Sequence, residues 1–111
     1  MTDEEINVAI AKIEYPDHGV TGAPFSDNRK NCAVINCLVL KDYINNWSDI
    51  GEIIEREKIA VSYSAKYKCW YAQDLYYEDL PDLDNTCNGA YAETPTKAAA
   101  LCYLKMKGVE L

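Results

Sequence analysis

Apolar residues recur along these 111 residues with two different periods. Ile6, Ala9, Ile10 and Ile13 stand three and four apart, the spacing of one helix face. Thr2 and Glu5 precede them at capping-box spacing, which predicts a helix from Thr2 to about Glu14. "YPDHGVTGAP" ends it, because Pro16, Gly19, Gly22 and Pro24 punctuate a loop that runs to about Asn31. That loop is long enough to be a functional one. "CAVINCLVL" is β-branched and apolar on both faces and fits a buried central strand. "NNWSDIGEIIERE" returns to helical spacing through Ile50, Ile53 and Ile54. Asn46 or Ser48 can cap this second helix, and Asp49 and Glu52 sit where its dipole favours acids.

The period then changes to two. "KIAVSYS" places Ile59, Val61 and Tyr63 on one face, "AKY" turns, and "KCWYAQ" returns as the partner of a hairpin. In the returning strand Cys69, Tyr71 and Gln73 point one way, Trp70 and Ala72 the other, so one of Trp70 and Tyr71 belongs to the core. "NGAYAE" reads as a third short strand. "TPTKAAALCYLKMKG" closes the chain as a helix, with Thr94 as cap, Pro95 at the first position and Gly108 past the end. The expected fold is one α+β domain over residues 1–111. It has a small, mainly antiparallel sheet of three to four strands and two to three helices, in the order α-β-α-β-β-β-α.

Charge singles out one stretch. Eleven Lys and Arg against 18 Asp and Glu give a net charge of −7. Between Cys69 and Thr96 there is no base, while Asp74, Glu78, Asp79, Asp82, Asp84 and Glu93 all fall inside. The remainder is nearly neutral. Such a patch repels nucleic acid and membrane surfaces and attracts basic protein surfaces. Tyr76 and Tyr77 lie within it, and tyrosine supplies contact area with a polar tip. The segment is too dilute to imitate DNA alone. Asp74 to Asp84 spans at most ~33 Å, or ~8 Å per charge, against one per ~3.4 Å along a DNA strand.

Catalytic and metal chemistry find little support. The single histidine, His18, lies in the Pro/Gly-rich loop, and no cysteine stands in a recognisable nucleophile context. Five cysteines, an odd number without a C-x-x-C pair, read as reduced thiols of an intracellular protein. Cys32 with Cys37 is too isolated for zinc. "DLPDLDN" lacks the glycine and closing Glu of a calcium loop. No phosphate-binding glycine loop, basic stripe, signal peptide or membrane-length apolar run is present. The expectation is no cofactor, no metal, no direct nucleic acid and no membrane.

Three stretches together resemble a known family. "TDEEINVAIA", "DYINNWSDIGEIIEREKIAV" and "TPTKAAALCYLKMKG" are similar to the opening, middle and closing segments of the NinX-like family of small lambdoid-phage proteins of unknown function. In that family, too, a short helix leads into a strand, a Trp-bearing strand follows, and an alanine-rich helix closes the chain. Where the family has "WPII", this chain has "GEII". The resemblance implies a phage accessory protein acting in the bacterial cytosol. It makes Trp70 the core member of the Trp70–Tyr71 pair and brings no catalytic residues.

Two functional expectations follow. The first is a non-enzymatic protein that binds a host protein with a basic surface, plausibly in antiviral defence or DNA metabolism. Its site would be Asp74, Tyr76, Tyr77, Glu78, Asp79, Asp82 and Asp84. The second is a small-molecule binder whose pocket lies between Tyr63, Tyr67 and Tyr71 and the 17–31 loop, with His18, Arg29 and Lys30 as polar contacts. A self-pairing edge strand or the tyrosine-rich patch could make a homodimer.

Overall fold

The computed structural model describes residues 1–22, 32–36, 39–74 and 89–109. Among these described residues, three helices and six strands follow the order α-β-β-β-α-β-β-β-α. Helix α1 covers Asp3–Glu14. Thr2 caps it and accepts from the Glu5 N–H, while the Glu5 side chain accepts from the Thr2 N–H, which completes the capping box. Helix α2, Trp47–Glu57, is capped by Asn46 and ends at Lys58 in the left-handed conformation. Helix α3, Pro95–Met106, is capped by Thr94 and stops at Gly108, whose φ of 78° suits glycine.

The strands form two three-stranded antiparallel sheets. The first is β1 (Val20–Gly22), β2 (Ala33–Ile35) and β3 (Val39–Lys41); the second is β4 (Ile59–Ser64), β5 (Cys69–Asp74) and β6 (Ala90–Ala92). The α+β class and the antiparallel pairing are as the periodicity predicts. The strand number is not. The stretch read as one central strand is a tight reversal, with Ile35 opposite Val39 and Asn36 at φ 52°. Asparagine tolerates that conformation better than its β-branched neighbours do. The predicted loop contributes β1, which pairs with β2 from Val20↔Ile35 to Gly22↔Ala33.

One core joins both sheets. Ile6, Ile10 and Ala11 of α1 pack with Ala33 and Ile35 of the first sheet. Helix α3 lies on the inner face of the second sheet and buries Ala98, Ala99, Ala100, Cys102, Tyr103 and Leu104. A helix buried nearly all round needs small residues wherever a sheet comes close.

Two polar clusters position these layers. Asn7, fully buried on α1, accepts from the backbone N–H groups of Tyr43 (2.7 Å) and Ile44 (3.3 Å) and donates to Asp42 Oδ1 (3.0 Å). Thr96 Oγ1 of α3 donates to the Ile44 carbonyl (2.5 Å), so α1 and α3 both grip the turn between β3 and α2. The second cluster joins the helix ends. Arg56 donates twice to Glu14, at 2.9 and 2.8 Å, and Tyr103 Oη donates to Glu14 Oε2 at 2.5 Å. Arg56 also reaches Glu57 (3.0 Å), which pairs with Lys107 (3.5 Å).

Candidate protein-docking surface

The second sheet sorts its side chains by strand parity. Ile59, Val61, Tyr63, Trp70, Ala72, Asp74, Ala90 and Ala92 share the face toward α3, as the registers Tyr63↔Trp70↔Ala92 and Val61↔Ala72↔Ala90 require. Trp70 packs against the core from this face, as expected, with Tyr63 edge-on to it at 5.4 Å. Tyr71 and Tyr91, opposed on β5 and β6, occupy the outer face.

There a row of tyrosines forms. Tyr71 and Tyr91 have ring centroids 4.5 Å apart, and Tyr67, in the β4–β5 turn, meets Tyr91 edge-on at 5.4 Å. Tyr67 and Tyr91 are 59% and 52% exposed. Two local features hold the row. Lys68, at φ 54°, closes the turn, where the Tyr67 N–H donates to Ser64 Oγ. Gly89 lies beneath Tyr71, and a Cβ there would sit 2.0 Å from the tyrosine oxygen. Lys105 Nζ holds the Gly89 carbonyl at 2.6 Å. Lys66 Nζ stands 5.3 Å over the Tyr67 ring, a cation–π contact.

The residues expected at the site are distributed unevenly. Tyr76, Tyr77, Glu78, Asp79, Asp82 and Asp84 lie outside the described residues, as do Arg29 and Lys30. Asp74 is a correction. The charge pattern places it on the surface, yet it is 3% exposed, because it is the last residue of β5 and faces inward opposite Ile59. His18 is exposed beside Tyr15, in the turn that leads into the first sheet. Tyr63 and Tyr71 lie on opposite faces of the second sheet, so no single wall of that sheet presents both. Tyr91 was not foreseen. Its only sequence signal is the alternation in "GAYAE", where the flanking alanines take the inner face.

Other features are accounted for structurally. Burial pushes the Glu14 carboxyl up, but its hydrogen bonds from Arg56 and Tyr103 outweigh this and hold it below the ordinary glutamate value. Burial, then Tyr15 and Glu14, raise Tyr43; burial and its bond to Glu14 raise Tyr103. Glu14, Arg56 and Tyr103 thus satisfy one another. Among the described residues no three His, Cys, Asp or Glu side chains gather as metal ligands, and no helix is long and apolar enough to cross a membrane. A shallow groove of about 470 Å³ runs between α1 and β1, lined by Met1, Glu4, Val8, Lys12, Val20 and Gly22 among others.

Against known proteins, the family model described as Bacteriophage P22, NinX matches residues 1–107, nearly the whole chain. No curated protein and no solved structure matches it.

Proposed function

This chain belongs to the NinX family of bacteriophage P22, and on that premise we propose that it is a phage accessory protein that acts by binding a host protein in the bacterial cytosol, not by catalysis. The observation that carries this reading is the row Tyr67–Tyr91–Tyr71 on the outer face of the second sheet, with Tyr67 and Tyr91 more than half exposed. Apolar side chains of this size gain by burial, and rigid tyrosines lose little entropy when a partner covers them. The chain between β5 and β6 carries Tyr76, Tyr77, Glu78, Asp79, Asp82 and Asp84, so it adds negative charge next to this face in sequence. The partner would be a protein with a basic surface, in antiviral defence or DNA metabolism.

The test is affinity capture from infected-host lysate at low and high salt. The wild type is compared with Tyr67→Ala/Tyr91→Ala and with a variant whose four acids at 78, 79, 82 and 84 are amidated. One host protein, lost in the tyrosine variant and released by salt, is the expected result. Capture that both variants retain would overturn the site.

The groove between α1 and β1 favours a second reading, a small-molecule site. Its volume falls in the range of ligand pockets, and it uses Val20, Thr21 and Gly22 of the predicted 17–31 loop. It includes none of the hairpin aromatics.

A further inference from the structure

Helix α2 enters the core through Ile50 and Ile53 and turns its other side to solvent. On that side Trp47, Gly51 and Glu55 follow one another at four-residue steps, with Ser48 and Glu52 in the row beside them. Trp47 is 56% exposed, although tryptophan is highly buried on average, and among the described residues no aromatic ring packs on it. Gly51 is the second anomaly. Only proline is a poorer residue inside a helix, and nothing in this chain calls for glycine there, since a Cβ on Gly51 would meet nothing within 4 Å. The glycine leaves a gap in the row between Trp47 and Glu55. Charge is the third feature. Glu57 pairs with Arg56 and Lys107, and Asp49 with Lys41, whereas exposed Glu52 and Glu55 form no ion pair among the described residues. Lys58 bounds this acidic stretch at the end of the helix.

We propose that this side of α2 seats an arginine-bearing helix of a basic partner protein. A four-residue row with a gap receives a side chain of a crossing helix, and glycine lets the two backbones come close. Trp47 supplies a ring face for a cation. A guanidinium fits better than an ammonium, because it is planar, stacks on the ring and can bind a carboxylate through two parallel hydrogen bonds. The unpaired Glu52 and Glu55 supply the carboxylates. They also exclude other occupants: the same face of a second copy and a nucleic-acid backbone both bring negative charge to it. None of these residues belongs to the row Tyr67–Tyr91–Tyr71, so the surface stands apart from that one.

The probe is a fluorescein-labelled, alanine-based peptide of about 16 residues, long enough to hold a helix, with arginines at four-residue steps. Anisotropy should show saturable binding to the full chain below about 1 mM, and the same peptide with lysines should bind about threefold more weakly or worse. Trp47→Ala and the pair Glu52→Gln/Glu55→Gln should each weaken the arginine peptide by about tenfold or more. Gly51→Gln should separate stability from binding. It fills the gap with a better helix former, so the melting temperature rises by about a few degrees while binding falls about fivefold. Far-UV circular dichroism checks the fold of each variant, and should Trp47→Ala fail to fold, Trp47→Gln replaces it. No saturation up to about 1 mM, equal binding of the two peptides, or binding indifferent to Trp47, to Gly51 or to the two acids overturns the proposal. Tyr67, Tyr71 and Tyr91 are untouched throughout, so none of these results decides the reading of the tyrosine row.

Discussion

The two faces of the β4–β5–β6 sheet are built from the same three strands and hold different inventories. The inner face combines Ile59, Tyr63 and Trp70 with the small or slender Ala72, Ala90, Ala92 and Val61, and shares one core with Ala98, Ala99 and Ala100 of α3. The outer face carries Tyr71 and Tyr91, with Tyr67 beside them. A simple inside-outside rule by size therefore fails on this sheet, since large rings stand on both faces and the alanines of β5 and β6 only on the inner one. Small residues are required where a helix must approach closely, while Tyr71 and Tyr91 stand on the face turned away from α3. Burial is set by the space between layers as much as by hydrophobicity.

The largest expected effect tests the inner face. Ala72 has no exposed surface and is paired on both sides, with Val61 and Ala90. Ala72→Leu adds three carbons where α3 is in contact, and should cost about 2–3 kcal/mol through overpacking. Urea unfolding with an unchanged m-value would report it. A neutral result would mean that α3 is seated loosely and that the alanines do not set the layer spacing.

The next effect tests what fixes α3 at its far end. The Glu14 carboxyl is held below its ordinary value in the folded protein, so its contribution is present above the unfolded value of about 4.5 and lost as pH falls through the lower folded value. Arg56 is half-exposed, which limits the worth of the ion pair, whereas the bond from buried Tyr103 is less screened. Glu14→Gln keeps one acceptor and should cost about 1–2 kcal/mol at pH 7. The difference from wild type should shrink as pH drops below about 4.5 and through the lower folded value, in thermal melts over that range.

The comparison also shows what the sequence made legible. Thr2 with Glu5, Asn46, and Thr94 with Pro95 and Gly108 located all three helices, because caps act within one turn. The hairpin, and the opposite facing of Trp70 and Tyr71, followed from strict alternation, while only the family resemblance put Trp70 inward. The reversal at Asn36 did not, since an apolar run leaves no period to count and the left-handed turn carries no glycine. Asn7 was hidden for a different reason. A polar residue among isoleucines looks like a break in the stripe until the turn it binds, 36 residues away, is in place. Asp74 looked like the first residue of an acidic surface, because charge counting ignores strand parity. Tyr91 could be placed beside Tyr71 only by the β5–β6 register, which pairs residues 20 apart in sequence.

The smallest effect on stability, and the most informative for function, belongs to the outer face. Tyr91→Ala removes one ring from a half-exposed row and should cost only about 0.5–1 kcal/mol, the scale of a cross-strand aromatic pair. If the rings served mainly to stabilise the sheet, Tyr91→Phe would restore stability and nothing else would change. If the row is a docking surface, the order inverts: Tyr91→Ala leaves the melting temperature within a few degrees of wild type, yet host-protein binding falls by about tenfold or more, as a hot-spot truncation does. Measuring both quantities on one preparation separates the two roles. A loss of binding no larger than the loss of stability would place the tyrosines with the packing of the sheet and move the search for the partner site elsewhere on the molecule.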